Sequence, residues 1–442
     1  MEHIVIIGNG ISGITAARYI RKLSKHKITV ISAETDYFFS RTALMYVYMG
    51  HMRWRDIEPY ENWFWKKNRI DLKKGFVNKV DTDKKTLHFD SDEKIKYDKL
   101  ILATGARTNY FDWKGQDLKG VQGLVSKQDL ELLEENTRNH PVRKAVIVGG
   151  GLIGVELAEM LRTRNIEVTM LVREFAFWGN VLPKQEADML ARHIRSHGVE
   201  ILLETELEEI LGGKNGRAKV VKTKAGKEIE CQLVGISTGV NPNIAFLKNS
   251  KIETDKGVLV NRKLETNIPC VFAIGDCAQQ RTPIENRNAV ESVWYTGRTM
   301  GETLAQTICG NPTEYKPGNW FNSAKFFDIE YQTYGHVWSE AKTGEDNFYW
   351  EPACRQGRAE DQKKAVHLNF ETETRKFLGI NTFGIRMRHE VLDRWLTEGK
   401  TVDFVVENLA EANFDPEFYR RFEKEIKNSF KLEPNLTGFG NP

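Results

Sequence analysis

Four short apolar runs set the frame of the chain. Ile4-Val5-Ile6-Ile7 is β-branched throughout and stops at Gly8. Ala145-Val146-Ile147-Val148 is apolar throughout, β-branched after its first residue, and stops at Gly149. Unbroken β-branched runs of this length predict strands buried on both faces, as in a parallel sheet. Behind each come spaced glycines and then a helical segment, Ile14-Thr15-Ala16-Ala17-Arg18-Tyr19-Ile20 in the first case and Val155-Glu156-Leu157-Ala158-Glu159-Met160-Leu161 in the second. A further strand is predicted after each helix, at Ile28–Ser32 and at Val168–Val172. The chain therefore carries one strand–turn–helix–strand device twice.

The turns are Gly8-Asn9-Gly10-Ile11-Ser12-Gly13 and Gly149-Gly150-Gly151-Leu152-Ile153-Gly154. Both read G-x-G-x-x-G. Glycines there permit a tight turn and let backbone approach a pyrophosphate, and the helix that follows turns its free N–H groups and positive dipole end toward that anion. Glu34 lies about 20 residues past the last glycine of the first turn, where a carboxylate can accept hydrogen bonds from ribose hydroxyls. Two such turns imply two dinucleotides. FAD and a nicotinamide nucleotide form the natural pair, because hydride transfer needs two cofactors in contact.

Three more strands end in small residues. Lys99-Leu100-Ile101-Leu102 runs into Ala103-Thr104-Gly105, Gly235-Ile236-Ser237-Thr238 runs into Gly239, and Val271-Phe272-Ala273-Ile274 runs into Gly275-Asp276. An acid at the carboxyl end of a strand sits where ligands bind in open α/β sheets, and a helix N-cap is the alternative reading of Asp276.

Composition narrows the class. The 442 residues are 40% hydrophobic and 28% charged, a globular profile of two to four domains. A net charge of +3, from 64 basic and 61 acidic residues, gives no basis for nucleic-acid binding. No apolar run approaches the ~20 residues needed to span a bilayer, and Met1-Glu2-His3 leads directly into the first strand, so a cytoplasmic location is expected. The five cysteines, Cys231, Cys270, Cys277, Cys309 and Cys354, contain no C-x-x-C; reduced thiols and no metal site are expected.

The paired glycine turns, the Ala-Thr-Gly strand and the Gly-Asp strand, spread over roughly residues 1–310, resemble the pyridine nucleotide–disulfide oxidoreductase family. The resemblance implies an α/β fold of two Rossmann-like (three-layer ββα) dinucleotide domains, as in glutathione reductase, with a C-terminal α+β domain and a helical tail. It implies an FAD domain over 1–117 and 245–312, an NAD(P) domain over 118–244, a C-terminal interface domain over 313–400 and a tail over 401–442. By resemblance, Gly8, Gly10, Ser12, Gly13, Glu34, Arg41, Ala103, Thr104, Gly105, Gly275 and Asp276 contact FAD. Gly149, Gly151, Leu152, Ile153, Gly154 and Gly239 serve the nicotinamide nucleotide, and Glu156 lies near the stacked rings.

Disulfide reductases of this family keep C-x-x-x-x-C after the second strand. The matching segment here, Phe38-Phe39-Ser40-Arg41-Thr42-Ala43-Leu44-Met45-Tyr46, has no cysteine, so electrons cannot leave through a thiol there. Arg41 instead resembles the arginine of the ferredoxin- and rubredoxin-reductase branch, although Tyr46 stands where that branch has lysine. Tyr46 either offers its phenol to the flavin edge or packs. The stretch Trp320–Gly335 resembles the opening of that branch's C-terminal domain, and Glu291-Ser292-Val293-Trp294 resembles an element that brings an aromatic ring to the flavin, one residue longer here.

The implied activity is an FAD-dependent NAD(P)H oxidoreductase that is not a disulfide reductase and that delivers electrons to a small acidic carrier of ferredoxin or rubredoxin type. The alternatives are quinone reduction at a membrane surface and redox signalling of the apoptosis-inducing-factor kind. Arg53, Arg55, Lys66 and Lys67 among Trp54, Trp63 and Trp65 are either solvated charges beside packed tryptophans or a basic, aromatic docking face; a homodimer is compatible with the pattern. At the second nucleotide site Val172 holds the place of the ribose-binding acid, and Arg173 next to it leans toward NADPH, while Glu174 speaks for NADH. The tail Val402–Lys431 reads as helix broken at Pro416, with Phe418, Phe422, Ile426 and Phe430 on one apolar stripe that docks on its own body, a second subunit or a membrane surface.

Overall fold

The computed structural model describes residues 1–138, 141–352, 361–414 and 420–433. The chain divides into two compact units. The first is Met1–Val142, Gly212–Ala218 and Gln232–Pro317; the second is Arg143–Leu211, Lys219–Cys231 and Gly318–Pro442.

The first unit is built on a five-stranded parallel sheet in the order Val271–Ala273, Lys99–Leu102, His3–Ile7, Lys27–Ser32, Ile70–Lys74. The central strand earns its place by composition: Ile4, Val5 and Ile6 are fully buried, and only a run without polar residues can fill a strand covered on both faces. Helix Ile11–Leu23 follows the first glycine turn and crosses helix Trp294–Ile308 at close range. Gly297 and Gly301 make the crossing possible. A Cβ on Gly301 would lie 2.6 Å from the Ser12 carbonyl oxygen, and one on Gly297 would lie 2.4 Å from Ser12 Oγ. A smaller antiparallel sheet, Val77–Asp81, Thr86–Phe89 and Lys94–Lys96, completes the unit's layering. Strand Val240–Pro242 pairs antiparallel with Ala106–Thr108, just beyond the Ala-Thr-Gly stretch.

The second unit repeats the device. Lys144–Val148, Glu167–Leu171 and Val199–Leu202 are parallel and in register, with helix Leu152–Arg162 after the first of them. A further five-stranded sheet of this unit is antiparallel, in the order Phe321–Phe326, Ile329–Gly335, Phe377–Phe383, Ala365–Glu371, Glu345–Trp350. Parallel α/β sheets joined to an antiparallel α+β portion are the architecture expected.

The tail departs from the sequence reading. Helix Val402–Glu407 stops early, a 3-10 turn spans Leu409–Ala412, and a separate helix runs Glu423–Leu432. Leu409 and Ala412 are fully buried, so the turn is held by packing that the helical period does not anticipate. Pro416 and Phe418 lie outside the described residues. Phe422, Ile426 and Phe430 are buried on the unit's own sheet: the Phe430 ring meets Phe348 edge-on at 5.1 Å and Phe422 lies 5.6 Å from Trp350. Among the described residues no helix is long and apolar enough to cross a membrane.

Candidate functional site

The first glycine turn is fixed by backbone sterics. Gly8 has φ +113 and donates its N–H to the Ile31 carbonyl at 2.8 Å. A Cβ there would lie 2.0 Å from the Ala103 carbonyl oxygen, and one on Gly13 would lie 2.1 Å from the Gly8 carbonyl oxygen. These two glycines let the turn close onto its own sheet. Gly10 and Gly105 differ, because a Cβ at either would meet nothing within 4 Å. Their bare faces border open space, as a surface laid against a ligand must. Helix Ile11–Leu23 begins there with no side-chain cap and no acid in its first turn, so its first N–H groups and dipole remain available to an anion. Ser12 is buried, and its Oγ fills the space beside Gly275 and Gly297.

Charged groups gather around this turn. Glu34, past the end of strand Lys27–Ser32, holds Arg41 through both oxygens at 2.8 and 2.6 Å. Its Oε1 also accepts the Lys127 backbone N–H at 2.8 Å. Arg41 donates besides to the Val125 carbonyl, and the carboxylates around it raise its pKa although burial opposes them. Burial pushes Asp276 up to about 6, with the nearby Arg41 charge working against the rise. Thr104 Oγ1 donates to the Asn243 carbonyl at 2.8 Å, tying the Ala-Thr-Gly stretch to the strand after Gly239. The donors, the two bare glycine faces and the uncapped helix suit a ligand with a diphosphate and a ribose. The structure thus brings together, in one unit, Gly8, Gly10, Gly13, Glu34, Arg41, Ala103, Thr104, Gly105, Gly275 and Asp276.

The two aromatic candidates are half-buried in the same unit. Tyr46 lies on the short helix Leu44–Tyr48 with its ring stacked 6.2 Å from His51. Trp294 opens helix Trp294–Ile308 and meets Tyr295 edge-on at 5.4 Å. Glu291, three residues before Trp294, is buried in an ion pair with Arg287 and also accepts from Thr296 Oγ1 at 3.2 Å.

The second turn is built alike. Gly149 has φ +117 and donates to the Leu171 carbonyl at 2.9 Å. A Cβ on Gly150 would press on the Val172 side chain at 2.9 Å, whereas one on Gly151 would meet nothing within 4 Å. Leu152 and Ile153 open helix Leu152–Arg162, which again has neither a side-chain cap nor an early acid, and Gly154 is buried within it. Val172 is fully buried under Gly150, so the first side chain after the strand that reaches solvent is Arg173. It is 71% exposed and pairs with the neighbouring Glu174 at 3.1 Å. Glu156, one turn into the helix, is pushed up to about 7 by burial and by the Glu159 charge, with Lys325 acting the other way. Lys325 comes from the antiparallel sheet and binds Glu159 at 2.7 Å. Sequence reasoning assigned Lys325 no role, since nothing local signals a partner that far along the chain.

Residues 2–293 match the family described as pyridine nucleotide-disulphide oxidoreductase. Among curated proteins, the assimilatory nitrate reductase electron transfer subunit of Bacillus subtilis is 28% identical over 402 residues, covering 90% of this chain and 49% of its own length. The chain thus spans about half of that relative. The NADH oxidase of Methanocaldococcus jannaschii is 31% identical over 347 residues, covering 74% of each chain. Among solved structures, the covalent putidaredoxin reductase–putidaredoxin complex superimposes with a TM-score of 0.79 at 20% identity, over 98% of this chain and 99% of that one. With its two glycine turns placed as described, the chain is an enzyme of the pyridine nucleotide-disulphide oxidoreductase family, a family that binds FAD and NAD(P)H.

Proposed function

We propose that this chain oxidises NAD(P)H through FAD and passes the electrons to a small electron-carrier protein of acidic, ferredoxin or rubredoxin type. The observation that carries the reading is the thiol-free segment 38–46 beside a turn whose bare glycine faces fit a dinucleotide. Bound FAD supplies the chemistry, accepting a hydride from the nicotinamide and releasing electrons onward. The protein's part is to hold and orient. Gly10, Gly105 and the N-terminus of helix Ile11–Leu23 receive the diphosphate, and Glu34 receives the ribose. Asp276 lies at the carboxyl end of its strand with a carboxyl poised to carry or lose a proton near neutrality. Gly151 and helix Leu152–Arg162 receive the nicotinamide nucleotide, and Arg173, as the first exposed side chain after the strand, favours NADPH through its 2′-phosphate. Glu156 holds a proton up to about pH 7 at the start of the same helix.

The electron transfer subunit among the relatives supports a protein acceptor. So does the surface near Trp63, which is 59% exposed with Lys67 Nζ over its ring at 5.1 Å and Lys66 alongside. The NADH oxidase relative favours a second reading, in which oxygen is the acceptor. The described part of the tail stripe, Phe422, Ile426 and Phe430, is buried on its own sheet and so gives a membrane quinone no support.

Anaerobic rapid mixing of the flavin-loaded protein with NADPH and with NADH tests the core of the reading. Rapid bleaching of the flavin is expected, with a higher kcat/KM for NADPH. Failure of both nucleotides to reduce it sinks the proposal. Turnover with a purified ferredoxin or rubredoxin under argon, compared with oxygen uptake in its absence, then decides between the two acceptors.

A further inference from the structure

Helix Lys184–Ser196 carries His193, and the residue that closes it is His197. A spacing of four puts both imidazoles on one helix face. The tight turn between strands Phe321–Phe326 and Ile329–Gly335, in the same unit, brings Asp328 to that face. Asp328 Oδ1 lies 2.6 Å from His193 Nε2 and 3.9 Å from His197 Nε2, and the three atoms all fall within 4.8 Å of one another.

Each side chain is held for this meeting. His197 Nδ1 lies 3.0 Å from the His193 carbonyl oxygen, so the proton belongs on Nδ1 and the Nε2 lone pair faces Asp328. Phe327, at φ +54 in the turn, stacks on the His197 ring at 4.4 Å and fixes its plane. Lys363 Nζ holds Asp328 Oδ2 at 2.5 Å and leaves Oδ1 for the histidines. His193 is 8% exposed, yet its Nε2 makes no hydrogen bond. Its close neighbour is the Asp328 carboxylate oxygen at 2.6 Å, off the axis of an N–H donor, so the buried ring nitrogen is aimed into the cluster.

We propose that His193, His197 and Asp328 bind a divalent first-row transition metal of the zinc class, through two neutral imidazoles and one carboxylate oxygen. Bonds of about 2.0–2.2 Å at tetrahedral angles place ligand atoms roughly 3.4 Å apart, and the separations of 2.6 and 3.9 Å straddle that value. Mixed nitrogen and oxygen donors suit zinc, nickel or cobalt and do not suit calcium or magnesium, which take oxygen. Asp328 is 53% exposed, so the fourth position opens to water. Three ligands and an open position make a site in exchange with solvent metal, and its occupant ties the hairpin tip to the helix. The ammonium of Lys363 weakens the site electrostatically without occupying a ligand atom. This site was not foreseen from the sequence, where no metal was expected.

The test uses the purified flavin-loaded protein after dialysis against a chelator. Calorimetric titration with zinc is expected to show one equivalent bound, together with a rise in Tm. His197→Gln and Asp328→Asn should each weaken zinc binding by at least about tenfold, with flavin content and metal-free Tm held. Absence of zinc binding in the unaltered protein overturns the proposal, as does binding of equal strength in both variants. If His197→Gln does not fold, the exposed Asp328→Asn decides alone.

Discussion

Arg41 grips Glu34 with both arms of its guanidinium, 2.8 Å from Oε1 and 2.6 Å from Oε2. The residue assigned to the ribose and the residue assigned elsewhere on the same cofactor are therefore one unit. A carboxylate has about four lone-pair sites. Two go to Arg41 and one to the Lys127 N–H, which leaves room for a single hydroxyl. Arg41→Lys loses the planar fork and should not rescue the pair. FAD titrated into apoprotein is expected to bind at least about tenfold more weakly in Arg41→Lys and in Glu34→Gln; an unchanged Kd in Arg41→Lys would show that the pair is incidental.

The glycines of the first turn separate into two kinds. Gly13→Ala drives a methyl to 2.1 Å from a carbonyl oxygen, and the apoprotein should lose about 2–3 kcal/mol of stability despite alanine's better helix propensity. Gly10→Ala places its methyl in open space, so the apoprotein should stay near its original stability while FAD binding collapses. Urea unfolding alongside flavin content distinguishes them. Equal destabilisation in both variants would contradict the assignment of Gly10 to the ligand face.

Glu156 makes stability depend on pH in an unusual sense for a carboxyl. Its pKa rises on folding from about 4.5 to about 7, so the folded state holds the proton more tightly. The resulting stabilisation is fully present below pH 4.5 and is lost as pH climbs toward 7. Because the group keeps some exposure, the effect should reach only about 1–2 kcal/mol. Glu156→Gln should abolish this part of the slope and leave the apoprotein more stable than the unaltered chain at pH 8. Lys325→Met removes the opposing charge and should raise the Glu156 pKa further. Parallel urea midpoints for unaltered chain and Glu156→Gln across pH 5 to 8 would refute this.

The terminal helix is a structural staple. Phe430 is 5% exposed between Phe348 and Phe370, and Phe430→Ala should cost about 3 kcal/mol. Liposome flotation is expected to recover none of the intact protein. Recovery that disappears on deletion of 402–442 would restore a membrane role to the tail.

What could be read in the sequence depended on how local the cause was. Gly8 and Gly149 announced themselves because positive φ at a strand end is a requirement of the turn alone. The strands around them followed from β-branched runs. Gly297 and Gly301 passed unnoticed, since their need appears only when Ser12 crosses them. The Glu34–Arg41 pair was invisible for a related reason: each residue was read for a ligand, and the loop path that joins them is not a periodic signal. Lys325 reaches Glu159, and Asp328 reaches His193, across stretches of chain that no pattern spans. The break after Glu407 is not legible because the four-residue recurrence begins only at Phe418 and carries no sign of the buried turn at Leu409–Ala412.

The sheet order of the first unit bears on how the molecule is made. Strand Lys99–Leu102 leaves the ribosome long before its neighbour Val271–Ala273, and helix Ile11–Leu23 long before helix Trp294–Ile308 with its two fitted glycines. During that interval the nascent chain displays an unpaired strand edge and an uncovered helix face, both adhesive surfaces. The early half of the unit must therefore wait in a partly assembled state for its last pieces. Vectorial synthesis therefore exposes this architecture to misassembly until the late strand and helix arrive.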